Sequence, residues 1–402
     1  MSESTPVQRK SLFAAGLAHI CQDGLEASTY VLLPILASTF GLSYGQVGAI
    51  KGVKSLALGL LELVSGFVTE RFGESRVLIS GLLIAGTGYA AVAMVDTIQL
   101  VVCCLILLGI GGGLQHAPAS TLVSRTFDYH NRRGALGLYN SSGDIGKLLF
   151  TALFSFATGV GLAWQHIIFT YAGVALLAAL LIAISISTQH PSRTIQPSIT
   201  HHEDKPQGLH GWGVLNVHHF TLLLVIVFLD NVVQVGVLLF VAFLMLSNEL
   251  PVVVATLAIT LVLVGGVIGK ARCGYLAEQM GVRRAFVLVQ LLTAAGLIGL
   301  VVAPGWLALI LLIPLGAVSQ GSTSITYGLL PDYIHPERLA RGYSILYSST
   351  SIAAATGAWL VGLSADWFGI ERAFLIMALV SLLALAPVLF NATFAAGKTL
   401  EQ

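Results

Sequence analysis

Charge is scarce in this sequence. Only 10% of the 402 residues are Asp, Glu, Lys or Arg, whereas soluble domains carry about 25%. Hydrophobic residues make up 56% of the chain, and the mean hydropathy is +0.87. A folded chain of this composition exposes more apolar surface than water accommodates, so we expect a membrane protein. The net charge of +1 provides no broad basic surface, so we expect no nucleic-acid partner.

Cysteine is scarce as well, and its positions indicate no metal site. The four cysteines lie in apolar stretches without the short spacings of metal ligands, and we interpret them as core residues. A phosphate-binding loop is lacking too, because the glycines at 111–113 fall inside an apolar run. No nucleophile with a neighbouring base marks the end of an apolar run, so we expect no enzyme, metal or cofactor. One metal site remains as an alternative, because the polar segment in and just after the middle of the chain is rich in histidine. Its six histidines are His190, His201, His202, His210, His218 and His219.

Long apolar runs are what the chain has in abundance. A transmembrane helix needs about 20 mainly apolar residues. Twelve segments qualify, near 11–37, 45–68, 77–95, 98–122, 135–160, 166–187, 217–246, 251–275, 285–304, 306–330, 343–365 and 373–395. We therefore predict an all-α membrane protein with twelve transmembrane helices in two pseudo-symmetric six-helix bundles. The bundles comprise residues 1–187 and 217–402, and a cytoplasmic linker, 188–216, joins them.

The two halves repeat each other at an offset of about 208 residues. The offset aligns Gly66 with Gly274, Glu70 with Glu278, Gly73 with Gly281, Arg76 with Arg284, Gly113 with Gly321, Arg133 with Arg341, Gly134 with Gly342 and Tyr139 with Tyr347. Two similar apolar halves are typical of secondary transporters, in which a cavity between the halves opens first to one side and then to the other.

Lys and Arg fall mainly on one side of the predicted topology. Loops rich in these residues face the cytoplasm, and only Arg372 lies in a loop on the opposite side. We therefore expect both termini in the cytoplasm and the protein in the inner (plasma) membrane. The residues on the cytoplasmic side are Arg9, Lys10, Arg71, Arg76, Arg125, Arg132, Arg133, Arg193, Lys205, Arg283, Arg284, Arg338, Arg341 and Lys398.

The loop after the second predicted span carries a motif that recurs in the second half. It reads Gly66-Phe-Val-Thr-Glu70-Arg71-Phe-Gly73-Glu-Ser-Arg76, and its counterpart reads Gly274-Tyr-Leu-Ala-Glu278-Gln-Met-Gly281-Val-Arg283-Arg284. A carboxylate and a guanidinium near a helix end can bridge neighbouring helices, so we expect a cytoplasmic gate here. The motif resembles the signature loop of the major facilitator superfamily, with Glu in place of the usual Asp. The resemblance covers essentially the whole chain and implies transport by alternating access.

A narrower resemblance is carried by three spans of the first half. The first reads His19-Ile-Cys-Gln-Asp23-Gly-Leu-Glu26, the fourth Gln115-His116-Ala-Pro118, and the fifth Ser142-Gly143-Asp144-Ile-Gly146-Lys147. These segments are similar to the fosmidomycin-resistance branch of the superfamily, whose members are drug exporters. The resemblance implies proton-driven export of a small drug-like molecule. The chain departs from the branch where Ala117 separates His116 from Pro118, and it lacks the Gly-Pro pair of antiporter fifth spans.

Ionisable groups at bilayer depth usually face a cavity or a partner. His19, Asp23 and Glu26 share one helix face, because they are spaced by four and three residues. Asp230 recurs in the seventh span at an offset of 207 from Asp23. We predict Asp23, Asp144 and Asp230 as proton-coupling groups, since a carboxylate in an apolar cavity is easily protonated. A polar contact that only holds helices together is the alternative.

Several further polar groups are candidates for substrate binding. Asp144 and Lys147 can pair on one face of the fifth span. Lys51 can extend to the outer surface, whereas Lys54 lies deeper and has no partner evident from sequence. We expect Lys54, with Lys147 and His116, to attract an anionic group, unless these residues are structural. Glu62 can neutralise a neighbour. The other predicted substrate-binding residues are His19, Glu26, Asn231, Gln234, Gln320, Tyr327 and Tyr347.

The predicted function is secondary transport of a small organic molecule, with an anion among the candidates, by proton-coupled export. The expected partners are the substrate, the proton and the lipid bilayer, and we expect a monomer. Uptake of an organic anion by proton symport uses the same groups in the other direction. A membrane receptor or assembly component that kept the fold without transport is the alternative from another class, although the charges within the spans argue against it.

Overall fold

The structure, a computed structural model, describes residues 5–127, 129–187, 212–335 and 338–390, which are nearly all helical and include no β-strand. Most of the predicted linker lies outside the described residues, and with it four of the six histidines; the other two, His218 and His219, belong to the helix that follows the linker. The helices are α1 (Pro6–Phe40), α2 (Tyr44–Phe72), α3 (Glu74–Val92), α4 (Ile98–Gly113), α5 (His116–Thr126), α6 (Tyr129–Gly159), α7 (Trp164–Ser187), α8 (Val217–Ser247), α9 (Val252–Met280), α10 (Val282–Val302), α11 (Gly305–Gly328), α12 (Leu339–Phe368), α13 (Ile370–Leu383) and α14 (Leu385–Phe390).

The 208-residue repeat extends to the backbone. Gly73, between α2 and α3, has a φ of 85°, and Gly281, between α9 and α10, has a φ of 86°. Side chains rarely tolerate this region, so glycine at both positions permits the same abrupt change of helix direction. Two further pairs with positive φ have the same offset: Gly41 with Glu249, and Gly161 with Gly369. The sequence repeat is therefore a structural repeat.

Among the residues that the structure describes, eight segments are long and apolar enough to cross a membrane. They are α3, the broken pair α4–α5, α7, α8, α9, α10, α11 and the broken pair α13–α14. The remaining long helices, α1, α2, α6 and α12, contain 35, 29, 31 and 30 residues. At 1.5 Å per residue each is at least about 43 Å long, which exceeds the thickness of the hydrocarbon core. These helices are more polar, and most of the ionised side chains described below belong to them.

The predicted fourth span is two helices rather than one. The glycine-rich end of α4 packs against the backbone of α2: a β-carbon at Gly109 would lie 2.4 Å from the carbonyl oxygen of Lys54, and one at Gly113 would lie 2.5 Å from that of Leu58. The helix turns at residues 114–115, and α5 begins at His116. The predicted twelfth span is likewise interrupted, between α13 and α14.

Helix packing follows the same plan in both halves. In the first half α1 packs on α6, and α3 packs on α4 and α7; in the second half α8 packs on α12, and α10 packs on α11 and α13. The halves meet mainly through α2 with α12 and through α9 with α6. The second helix of each repeat therefore packs on the fifth span of the other.

The α2–α12 contact shows where the halves touch and where they separate. We call the end of the helices with residues 71–76 and 281–284 the basic end, and the other the opposite end. Gly45, Gly52, Gly59 and Gly66 recur every seven residues along one face of α2. A β-carbon at each of the first three would meet α12 within 3 Å, whereas one at Gly66 would meet nothing within 4 Å. The halves are thus in contact toward the opposite end and diverge toward the basic end.

Candidate functional site

A cavity of about 250 Å³ lies between the two halves. The first half lines it with side chains of α1, α2, α5 and α6, and the second half with side chains of α8, α9, α11 and α12. The helices that carry charge thus turn it inward, as expected where the outer surface faces lipid.

Asp23 is the centre of the main charged cluster. Its Oδ2 lies 3.0 Å from Nζ of Lys147 and 3.2 Å from Nε2 of His19, and its Oδ1 lies 3.7 Å from Nε2 of His116. Asp23 and His19 are buried, whereas Lys147 and His116 are partly exposed to the cavity. The cluster joins α1, α5 and α6 around one carboxylate.

The hydrogen bonds of His19 place a proton in this cluster. Nδ1 of His19 lies 2.9 Å from the backbone carbonyl oxygen of Tyr139, which only accepts, so Nδ1 carries a hydrogen. In a neutral ring Nε2 is then an acceptor, and it faces an oxygen of Asp23. Two acceptors repel each other, so the pair is favourable when a proton is bound to either His19 or Asp23. A single proton on either residue therefore satisfies this contact.

His116 connects this cluster to Glu62. Nδ1 of His116 lies 3.1 Å from Oε1 of Glu62, so the ring stands between two carboxylates. Oε2 of Glu62 accepts a hydrogen bond of 3.0 Å from Ser351 of α12. The ring of Tyr347 stacks on that of His116 with centroids 5.8 Å apart. Through Ser351 and Tyr347, the polar cluster of the first half therefore contacts α12 of the second half.

Glu26 holds two lysines, which corrects two expectations. Its carboxylate oxygens lie 2.6 Å from Nζ of Lys51 and 2.5 Å from Nζ of Lys54. Both lysine side chains are almost fully buried, and Thr29 accepts a hydrogen bond from Lys54. The expectation that Lys51 extends to the outer surface is wrong, because it turns inward to Glu26 and the ring of Tyr30. The expectation that Lys54 lacks a partner is also wrong, because Glu26 of the neighbouring helix supplies one.

Lys270 and Asp144 form an ion pair between the halves. Nζ of Lys270, on α9, lies 2.6 Å from Oδ1 of Asp144, on α6. Lys147 lies 3.5 Å from the same oxygen, so the pairing predicted within α6 is present but is shared. Lys270 was not among the sequence-predicted site residues. The 208-residue repeat pointed to it, since it aligns with Glu62, another charged residue inside a long helix.

Asp230 is buried beside the cavity and does not line it. It accepts hydrogen bonds of 2.6–2.7 Å from Gln234, Gln290 and Ser322, and no cation of the described residues lies within ion-pair distance. Asp230 does not line the cavity because it is 207 rather than 208 residues from Asp23, one residue out of the register of the repeat. In the exact 208 register Asp23 aligns with Asn231, which does line the cavity, whereas Asp230 aligns with the buried Gln22.

The structure brings most of the predicted site residues together. Those that line the cavity are Asp23, Glu26, His116, Asp144, Lys147, Asn231, Gln234, Gln320 and Tyr347. His19, Lys54 and Asp230 lie behind them and contact lining residues. Tyr327 lies edge-on to Tyr347, with centroids 5.7 Å apart. Lining residues with charge that the sequence prediction did not include are Lys51, Glu62 and Lys270.

The predicted gate residues of both halves lie at the basic end of the helices. Arg71, Arg76, Glu278 and Arg284 are exposed there, and Gly73 and Gly281 form the two turns. Gly274 packs near Ser324 within its own half. Arg283 has a partner, and the side chain of Glu70 lies outside the described part. The ion pair described at this end joins Arg125 and Glu74, both of the first half. A gate formed by the motif residues stays a prediction.

Three groups are close enough together to hold a metal ion. Ligand atoms of His19, Asp23 and His116 lie within 4.8 Å of one another. The ammonium of Lys147, 3.0 Å from Asp23, already neutralises the carboxylate that such an ion would need. The donor set therefore fits a proton and a lysine better than a metal cation.

Comparison with known proteins places the chain in one family. The model of the Major Facilitator Superfamily matches residues 15–256 and 222–401, so the chain belongs to this family. It is therefore a multi-pass membrane protein of a family of secondary transporters, not of enzymes. Members of the family bind small-molecule substrates and often couple transport to protons.

Curated relatives are similar over part of the chain. An uncharacterized MFS-type transporter, YfnC, of Bacillus subtilis (strain 168) is 26% identical over 157 residues, 38% of each chain. The fosmidomycin resistance protein of Escherichia coli (strain K12) is 27% identical over 138 residues, 34% of each chain. The multidrug resistance protein MdtH of Yersinia pestis (strain Pestoides F) is 31% identical over 110 residues, 26% of this chain and 27% of that one. The matches thus span well under half of these relatives.

Solved structures show the same fold over the whole chain. A bacterial homolog of the human lysosomal transporter Spinster, in an inward-facing and unoccupied conformation, has a TM-score of 0.83 at 14% identity and covers 98% of each chain. A D-xylose-proton symporter has a TM-score of 0.77 at 16% identity and covers 98% of this chain and 99% of that one. At these identities the similarity concerns the fold alone.

Proposed function

We propose that this protein is a proton-coupled exporter of a small organic anion that works by alternating access. Its twelve spans form two six-helix bundles, residues 1–187 and 217–402, joined by a cytoplasmic linker. Both termini lie in the cytoplasm, and the protein acts as a monomer in the inner membrane. The observation that carries the proposal is the charged cluster around Asp23, which lies in a cavity between the repeats.

The arrangement of His19, Asp23 and His116 supports proton coupling. The proton shared by His19 and Asp23 lies next to Lys147, whose ammonium favours release of that proton. His116, between Asp23 and Glu62, provides a second site for it. Asp23 is accordingly the first coupling group, followed by Asp144 and Asp230.

Lys147 and Lys270 support an anionic substrate. About a third of each side chain is exposed, whereas Lys51 and Lys54 are covered. The proposed anion-binding groups are therefore Lys147, Lys270 and His116 rather than Lys54. Neutral side chains of the second half, including Asn231, Gln234 and Gln320, face these cations and would position the rest of the molecule. The likeness to a fosmidomycin resistance protein suggests a phosphonate as the first probe.

The test is transport of labelled fosmidomycin by purified protein in proteoliposomes under an imposed pH gradient. The wild type should move fosmidomycin against the proton flux, and Asp23→Asn should keep binding and exchange but lose gradient-driven accumulation. Movement with the proton flux would favour the alternative, uptake by symport. An Asp23→Asn variant that still accumulates the probe would exclude Asp23 as the coupling group, and binding without transport in the wild type would favour a receptor.

A further inference from the structure

The ion pair of Lys270 with Asp144 differs from the other ion pairs of the cavity. Among the described residues, Glu26 with Lys51, Asp23 with Lys147 and His116 with Glu62 all lie within the first half. Lys270 belongs to α9 of the second half and reaches across to α6. Its partner is 126 residues away in sequence. A movement that separates α6 from α9 therefore breaks this pair and leaves the others intact.

Lys270 has no substitute anion on its own side of the cavity. The described residues with which the second half lines the cavity are otherwise neutral, with Asn231, Gln234 and Gln320 the main polar ones. The next acid along α9, Glu278, is exposed and lies eight residues further on, about 12 Å along the helix. Asp230 is occupied by neutral donors. Separation of the halves would therefore leave an ammonium without a counter-charge, which is costly in a partly buried site.

Asp144 is better provided with cations than Lys270 is with anions. Lys147 lies 3.5 Å from Asp144 as well as 3.0 Å from Asp23. If Asp144 lost Lys270, it would keep Lys147, and the first half would remain compensated. Loss of the ion pair would thus leave Lys270 without a counter-charge, whereas Asp144 would still have one.

The symmetry-related contact is a hydrogen bond rather than an ion pair. At the position equivalent to Lys270 in the first repeat, Glu62 reaches α12 of the second half through a hydrogen bond from Ser351. A hydroxyl and a carboxylate that has His116 as a second partner separate at lower cost than an ion pair. At the level of the cavity, the ion pair that resists separation of the halves therefore lies on the α6–α9 side.

We propose that Lys270 binds the anionic group of the substrate in exchange for Asp144, and that this exchange permits the halves to separate on the α6–α9 side. This inference rests on the proposed function and specifies its substrate site. The ligand class is a small molecule with a carboxylate or phosphonate group, which takes the place of the aspartate oxygen at Nζ. In the unloaded protein Asp144 competes for the same ammonium and holds α6 and α9 together.

The test compares variants of purified protein for binding of fosmidomycin by calorimetry. Lys270→Gln should weaken binding roughly tenfold or more, because a charge-assisted hydrogen bond is lost, and Lys270→Arg should recover part of it. Asp144→Asn should strengthen binding, since the internal competitor is removed. Arg272→Gln removes the same charge from an exposed position of the same helix and should leave affinity unchanged.

The exchange predicts that the two substitutions change affinity in opposite directions, whereas a purely structural ion pair predicts that both weaken binding. If both Lys270→Gln and Asp144→Asn weaken binding, the pair is structural and the exchange is wrong. If wild-type protein binds fosmidomycin and Lys270→Gln binds it equally well, this inference fails while the proposed function stands. If the wild type binds neither fosmidomycin nor any of a series of small carboxylates, the anionic substrate class fails and the inference with it.

Discussion

Glu26 is the residue on which two buried ammonium groups depend. Lys51 and Lys54 both end on its carboxylate, and both are almost fully buried in the α1–α2 contact. Removing one partner of a buried pair costs about 3–5 kcal/mol, because the remaining charge loses its compensation. A residue with two such partners should be among the most sensitive in the molecule.

Glu26→Gln should therefore lower the thermal unfolding temperature of the detergent-solubilised protein markedly. Adding Lys54→Met should restore part of the loss, because it removes one of the two stranded cations. Lys54→Met alone should cost less than Glu26→Gln, since the pair between Glu26 and Lys51 remains. A double variant less stable than Glu26→Gln would show that Lys54 contributes packing rather than charge.

Asp366 of the second half caps the N-terminus of a helix in the first half. It lies near the end of α12, and its carboxylate accepts hydrogen bonds of 2.8, 2.8 and 2.9 Å from the hydroxyl of Ser43 and the backbone amides of Tyr44 and Gly45. A carboxylate at a helix N-terminus satisfies free amides and interacts favourably with the helix dipole. The first turn of α2 is thus capped from the second half, at the end where the halves touch.

Asp366→Ala should weaken this closure and shift the protein toward conformations open at the opposite end. The expected result is faster reaction of a cysteine at the cavity residue Ser55 with an impermeant thiol reagent added only at that end, in a background without native cysteines. Glu371→Ala, which removes a nearby exposed carboxylate in the first turn of α13, is the matched control and should change little. An unchanged rate in Asp366→Ala would show that the cap does not contribute to closure.

At the scale of the whole molecule, the opposite end is closed on the α6–α9 side as well. A β-carbon at Gly159, the last residue of α6, would lie 3.9 Å from that of Val253 at the start of α9. This separation falls within the range of about 3.5–4.5 Å that a disulfide requires. The distance between the β-carbons at this position therefore permits a disulfide between the two halves.

The pair Gly159→Cys and Val253→Cys should form a disulfide on oxidation in a background without native cysteines. Because alternating access requires the halves to part at this end, the oxidised protein should lose transport, and a reductant should restore it. Binding from the basic end should persist in the oxidised form. Full transport by the cross-linked protein would contradict rocking of the two halves. The single variants, which cannot form the bond, control for the substitutions.

The class of fold was readable from sequence because the constraints that set it are local. In lipid every backbone polar group must bond within its own segment, so long apolar runs predict helices. The repeat likewise needed no structure, and glycines such as Gly73 and Gly281 keep the same role in both halves. The breaks at residues 114–115 and 384 were not predicted, because they depend on packing against neighbouring helices rather than on hydropathy.

The sequence by itself predicted that Asp23, His116, Asp144 and Lys147 lie inside spans, and the cost of charge in lipid implied that they face inward. Only the tertiary structure decided the partners. Glu26 takes both lysines of α2, and Asp144 is shared with Lys270 of the other half. Such pairs depend on the rotation and approach of helices that are distant in sequence. A helical period specifies the face of a residue within its own helix, and the packing of the helices specifies what that face meets.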